Sequence, residues 1–279
     1  MVAMRPSRVL ETLRRGEPSF TMKLNLGNAR GADLAAGYGF DCLWVCQEHV
    51  GTDWSSLEDL IRSAKMHNCD TMVRVAKGCY SDFIQPLELD AAGIMVPHVM
   101  NAGEAASIVR QCRFQPLGMR PLDGGNCDGQ YCRIPIAEYA RQANERRFLC
   151  LQIEDPEALE VVDEIAAVPG YDILFFGPGD FAHAIGKIGQ LDCPEVRAAR
   201  QRIAEAAIRH GKYAGTVGSV KNMQELLGLG YKFINLGADV SALNAYFRDI
   251  EQVLTTAFPA RVQRKATCAQ ADSSSPYAR

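Results

Sequence analysis

The stretch "FLCLQIEDPEALEVVDEIAAVPGYDILFFG", residues 148–177, decides the fold. It opens on an apolar run, "FLCLQIE" (148–154), and closes on another, "DILFFG" (172–177). Between them stands the amphipathic segment "PEALEVVDEIAAV" (156–168). Both runs are nearly continuous rather than alternating, the pattern of a parallel strand covered on both faces. Strand, helix and strand together make one β-α-β unit.

The same rhythm extends in both directions. Further apolar runs are "FTMKLNL" (20–26), "CLWVC" (42–46), "TMVRV" (71–75), "GIMVPHV" (93–99), "YAGTVG" (213–218) and "FINLG" (233–237), which brings the total to eight. Amphipathic segments lie among them, at 55–67, 102–112, 194–211 and 219–230. Eight strands with intervening helices in this length predict an α/β chain folded as a (β/α)8 TIM barrel. A doubly wound sheet is the runner-up, but the first strand is not followed by a G-x-G-x-x-G turn. Residues 1–258 read as a single barrel domain. The segment 113–147 breaks the rhythm with Gly, Pro and Asp, and loops of that length in compact domains tend to be functional. The tail 259–279 loses its apolar periodicity and reads as disordered or as an arm ordered in an oligomer.

Composition narrows the function. Of 279 residues, 47% are hydrophobic and 23% charged, and the net charge is −3, so no basic footprint points to nucleic acid. No apolar run approaches the ~20 residues that span a bilayer, so no membrane partner is expected. The start, "MVAMRPSRVLETLRRGEPSF", lacks the apolar centre of a secretory signal. The ten cysteines form no C-x-x-C pair, and Cys42, Cys46 and Cys150 lie inside apolar runs, where a thiol packs as a small hydrophobe. That usage points to reduced thiols in a cytoplasmic protein.

A TIM barrel carries its site at the C-terminal ends of its strands. The polar residues there are Glu48 and His49, Arg74, His98, Gln152 and Glu154, Asp180 and Asp239. Each has a plain structural use: a barrel ion pair for Arg74, a helix cap for Glu154, a capped turn for Gly177-Pro178-Gly179-Asp180, a core hydrogen bond for His98. Gathered at one mouth, they also suit chemistry. Glu154 and Asp180 offer a divalent cation two hard oxygen ligands, with water and substrate supplying the rest. A 2-oxo acid chelating that cation gains Lewis-acid stabilisation of its enolate. Arg74 is placed to take the enolate oxygen or the carboxylate. His49 is the natural proton shuttle, because histidine is the residue type whose unperturbed pKa lies near neutrality, with Asp90 a candidate to orient it. Lys23 is the one lysine within a strand run, which disfavours a Schiff-base route.

The stretches "GFDCLWVCQEH", "MVRV", "LDAAGIMVPHVMNAGEA", "PLGMRP", "LQIED", "ILFFGPGDFAHAIG" and "LGADVSAL" resemble, in order, the HpcH/HpaI aldolase family over roughly residues 18–256. The resemblance implies a (β/α)8 barrel, often a trimer or hexamer with its last helix exchanged between subunits. It implies a divalent metal, Mg2+ or Mn2+ with Co2+ as a further candidate, held by Glu154 and Asp180. It implies pyruvate or oxaloacetate bound by Arg74 with Gln152 nearby, and the backbone around Gly177, Pro178 and Gly179 holding the carboxylate. It implies an acid/base dyad of His49 with Asp90. The chain departs from the family pattern at Cys46, where members often carry aspartate, and at Val75 and Pro121. The expected activity is class II cleavage of a 4-hydroxy-2-oxo acid or 2-dehydro-3-deoxy sugar acid to pyruvate and an aldehyde through a metal-stabilised enolate. The alternatives are an oxaloacetate decarboxylase or other oxo-acid lyase using the same enolate, and a non-catalytic metabolite-binding barrel.

Overall fold

The computed structural model describes residues 2–259. Its strands are β1 (Ser19–Leu24), β2 (Cys42–Cys46), β3 (Asp70–Arg74), β4 (Gly93–Val96), β5 (Phe148–Ile153), β6 (Ile173–Phe176), β7 (Tyr213–Val217) and β8 (Tyr231–Ala238). They pair in chain order and β8 returns to β1, all parallel, closing the expected (β/α)8 barrel. Each apolar run is a strand. The helices are α1 (Arg8–Arg14), α2 (Ala29–Gly37), α3 (Trp54–Met66), α4 (Tyr80–Glu88), α5 (Ala102–Cys112), α6 (Ile136–Arg146), α7 (Pro156–Glu160), α8 (Val162–Ala167), α9 (Pro178–Ala184), α10 (Pro194–Arg209), α11 (Met223–Gly228) and α12 (Asp239–Ala257). The expected disordered tail lies outside the described residues, apart from Pro259.

Local chemistry sets the helix boundaries. The side chains of Ser7, Asn28, Asp53 and Asn101 each accept a backbone N–H three residues on, which satisfies a donor that the first turn leaves open. Two expected helices differ. The segment 156–168 breaks at Val161, where two β-branched residues follow one another, giving α7 and α8. The segment 219–230 becomes helical only at Met223, because the Asn222 side chain accepts from the Ser219 N–H (2.8 Å) and holds a turn there.

Alternate residues of each strand serve two cores. Leu43, Val45, Val73, Ile94, Leu151 and Ile153 face the helices, while Trp44, Met72, Met95, Phe148, Phe175 and Phe233 fill the barrel. Val9, Leu10 and Leu13 of α1 join the inner group. The helix therefore plugs the end where the strands begin, and the chemistry is left to the other end. The inner aromatics meet edge to face: Trp44 and Phe175 at 5.7 Å, Phe148 and Phe233 at 6.0 Å.

The excursion 113–135 folds around a buried ion pair. Arg120 donates to Asp128 (3.0 Å), Tyr139 donates to the same oxygen (2.7 Å), and the guanidinium stacks 4.8 Å from the Phe114 ring. Contacts divide the chain at Ala238, and α12 belongs to a second unit. No residue of α12 is buried, and Val240, Leu243, Tyr246, Phe247, Ile250 and Val253 form an exposed apolar series at helical spacing. Among the described residues no helix is long and apolar enough to cross a membrane.

Gly93 tests the inner packing. A Cβ there would stand 2.4 Å from the Phe148 ring. Gly93→Ala is expected to lower unfolding stability by about 1–3 kcal/mol, read from denaturant midpoints. An unchanged midpoint would show that the ring can move aside.

Candidate active site

The register of β2 on β3 sets Cys46 opposite Arg74, both within the barrel. Arg74 is buried, an expensive place for a guanidinium without partners. It donates from Nε (3.4 Å) and Nη2 (3.3 Å) to the Cys46 sulfur and lies 5.1 Å over the Trp44 ring centroid. Glu48, just past β2, brings Oε2 to 2.9 Å from Arg74 Nε, an ion pair off hydrogen-bond geometry. The same carboxylate reaches His49 Nε2 at 3.6 Å and, through Oε1, His98 Nε2 at 3.8 Å. Glu48 is thus the hub that joins the ends of β2, β3 and β4.

The far side of the mouth is built on β5. Gln152 and Glu154 are both buried, and Gln152 Nε2 donates to Glu154 Oε2. Glu154 Oε1 accepts the His98 backbone N–H (3.1 Å). His98 takes up a left-handed conformation (φ 50°), and its Nδ1 pairs with Asp155 Oδ2 at 2.9 Å. A Cβ on Gly177 would lie 2.3 Å from Glu154 Oε2 and 2.7 Å from Gln152 Nε2, so glycine right after β6 lets the chain pass that close. Pro178, Gly179 and Asp180 form the first turn of α9, with Asp180 exposed.

Electrostatics separates the groups. Burial pushes the Glu154 carboxyl up to about 7, against the pull of His98 and with a further push from the charge of Asp180. Burial alone would lower the His98 imidazolium. The hydrogen bond to Asp155 and the charges of Glu154, Asp155 and Glu48 outweigh that and raise it.

These residues fit a divalent cation. Glu154 is a buried carboxylate at the mouth, next to the charge of Asp180, and Gln152 Oε1 is buried without a partner. Among the described residues no cluster of three or more His, Cys, Asp or Glu is poised around one point. Glu154 and Asp180 are hard oxygen donors of the type Mg2+ takes when water and ligand fill its remaining positions.

Most of the expected site is brought together: His49, Arg74, Gln152, Glu154, Gly177, Pro178, Gly179 and Asp180 all stand at or just past the C-terminal ends of β2, β3, β5 and β6. Asp90 is the correction. It lies in the turn before β4 (φ 76°), at the opposite end of the barrel, buried and paired with Lys65 and Arg147. Within the chain it cannot orient His49, and Glu48 is the carboxylate that stands beside that ring. Asp239 begins α12, outside the barrel unit. Sequence reasoning missed Trp44 as the shelf under Arg74, and Asn235, whose buried Oδ1 has no partner. Counting strand phase from Phe233, which faces the barrel, puts Asn235 inward and was the available signal.

A sequence model of the HpcH/HpaI aldolase/citrate lyase family matches residues 20–245. The chain is 32% identical over 246 residues to a hydroxypyruvate/pyruvate aldolase of Pseudomonas aeruginosa, a match covering 88% of this chain and 91% of the other. It is 33% identical over 237 residues to a 4-hydroxy-2-oxovalerate aldolase of Rhodococcus jostii, covering 84% and 90%. The crystal structure of an HpcH/HpaI aldolase from Desulfitobacterium hafniense superposes with a TM-score of 0.85 at 27% identity, covering 91% of this chain and 97% of that one.

The raised Glu154 and His98 make the site pH-sensitive. A folded-state carboxyl raised above its unfolded value stabilises the fold below the unfolded pKa and loses that stability as pH rises through the folded one; a raised histidine has the same sign. In cation-free protein, Glu154→Gln should therefore melt higher than the parent at pH 8 and lose most of that advantage at pH 5. The advantage at pH 8 is on the order of a few kcal/mol. Equal melting shifts at both pH values would mean that Glu154 ionises freely.

Proposed function

Since the chain belongs to the HpcH/HpaI aldolase/citrate lyase family, we propose that it is a divalent-metal-dependent aldolase that cleaves a 4-hydroxy-2-oxo acid to pyruvate and an aldehyde. The observation that carries this reading is the pairing, across one barrel mouth, of a buried guanidinium on β3 with a buried carboxylate just past β5. A 2-oxo acid has an anionic carboxylate and a keto oxygen that becomes an oxyanion when the C3–C4 bond breaks. Both need compensating charge, and a low-dielectric mouth strengthens whatever supplies it.

The roles follow from position. Arg74, held from below and from one side, presents its remaining N–H groups to an oxygen of the oxo acid. Glu154 and Asp180 are the groups that would hold the cation, with Gln152 fixing one Glu154 oxygen. When bound, that cation supplies Lewis-acid stabilisation of the developing negative charge on the keto oxygen. Gly179 and Asp180 lie in the first turn of α9, just past β6, where backbone N–H groups would be the donors to the substrate carboxylate. His49, with an exposed ring beside Glu48, takes the proton of the C4 hydroxyl as the C3–C4 bond breaks. The bonding pair goes to the pyruvate half, a proton returns to its C3, and the aldehyde leaves. The apolar series on α12 suits an interface between copies of the chain in a homo-oligomer.

Pyruvate release from a panel of 4-hydroxy-2-oxo acids tests the reading, with sizing and light scattering on the same samples. Activity should disappear in EDTA and return with Mg2+ or Mn2+. Arg74→Ala should cost about 10²–10³ in kcat/KM, the scale for removing one oxyanion donor. Glu154→Ala should lose cation binding and turnover together, and the parent should run as a multiple of the chain mass. Full activity in EDTA would remove the cation from the account, and near-normal Arg74→Ala would remove the arginine.

A further inference from the structure

We propose that Cys46 is a positioning residue of this site: its sulfur fixes the Arg74 guanidinium and the start of the His49 turn together, without setting a second carboxylate beside Glu48 against the guanidinium. The inference rests on the reading of Arg74 as the receiver of the substrate anion. Cys46 is the last residue of β2, fully buried, and its sulfur accepts three N–H groups: Arg74 Nε at 3.4 Å, Arg74 Nη2 at 3.3 Å and the His49 backbone at 3.4 Å. Among the described residues no other strand cysteine takes a guanidinium this way. Cys42 stands in the same strand, and its sulfur meets backbone alone: it donates to the neighbouring Leu43 carbonyl and touches the Met72 backbone on β3.

The choice of atom matters. A guanidinium has five N–H donors in a rigid fork. The sulfur takes one edge of it, and Trp44 limits it from below. Among the described residues no protein atom accepts from Nη1, so that donor remains for a ligand. A carboxylate at this position would hold the fork by a charge-assisted pair and add a second anion to the one Glu48 already brings. The Cys46 sulfur holds the fork in register without adding one. An alkyl side chain would give Arg74 no acceptor on that edge and would also free the His49 N–H, so the two arms of the site would loosen together.

The test combines two readouts on Mg2+-loaded protein: calorimetric binding of pyruvate, and exchange of the Arg74 Nε–H followed by NMR of protein labelled with 15N-arginine. Cys46→Ala should weaken pyruvate binding about tenfold, lower kcat as well, and speed Nε–H exchange, the size expected for a lost hydrogen bond to a charged group. Cys46→Ser keeps an acceptor of similar size and should recover most of the affinity. Cys46→Asp keeps an acceptor on the same edge of the fork and should keep the Nε–H protected. If the parent binds pyruvate and Cys46→Ala binds it equally well with unchanged exchange, the role of Cys46 is wrong and the reading of the site survives. If the parent binds no pyruvate, the reading of Arg74 is wrong and this role falls with it.

Discussion

A buried guanidinium is the constraint around which the barrel mouth is arranged. Arg74 is almost fully enclosed, in a position set by the pairing of Cys46 with Arg74 across β2 and β3. A charge there needs partners from every side, because water cannot supply them. Trp44 lies beneath it, Cys46 beside it and Glu48 above it. Each of these comes from β2 or the turn that follows, so one strand supplies the setting for the charge carried by the next. Shifting that register by one residue would turn Arg74 toward the helices.

The opposite wall answers with a charge of the other sign. Glu154 is as deeply buried as Arg74, yet its neighbours are an amide, a backbone N–H and a half-exposed imidazole. None of these neutralises it fully, and burial raises it to about 7. The mouth thus holds a well-supported cation facing an under-compensated carboxylate. That imbalance suits a site completed by a divalent ion and an anionic ligand. The other end of the barrel is different in kind: α1 closes it with apolar side chains, and the charges there, such as Asp90 with Lys65 and Arg147, are paired among themselves.

Much of this was legible in the sequence because parallel strands covered on both faces read as continuous apolar runs, and the first polar residue after such a run lies at the barrel mouth. That rule located His49, His98, Glu154 and Asp180. It did not produce Asp90, which comes before a strand rather than after one, a position that sends it to the closed end. It was also blind to Trp44 and Asn235, polar-capable residues within apolar runs, whose inward phase had to be counted. Short helices such as α1 and α9 carry too few residues for a periodic signal, and their existence depends on tertiary packing. His98 read equally well as a core histidine. Only its left-handed backbone and its three carboxylate neighbours bring it to the junction of the two walls.

The most direct test of the central claim is an anomalous-scattering crystal structure of the protein soaked with Mn2+ and oxalate. The account predicts an anomalous peak bonded to carboxylate oxygens of Glu154 and Asp180, with oxalate bridging from it to the Arg74 guanidinium. A manganese peak away from Glu154, or oxalate bound out of reach of Arg74, would contradict it.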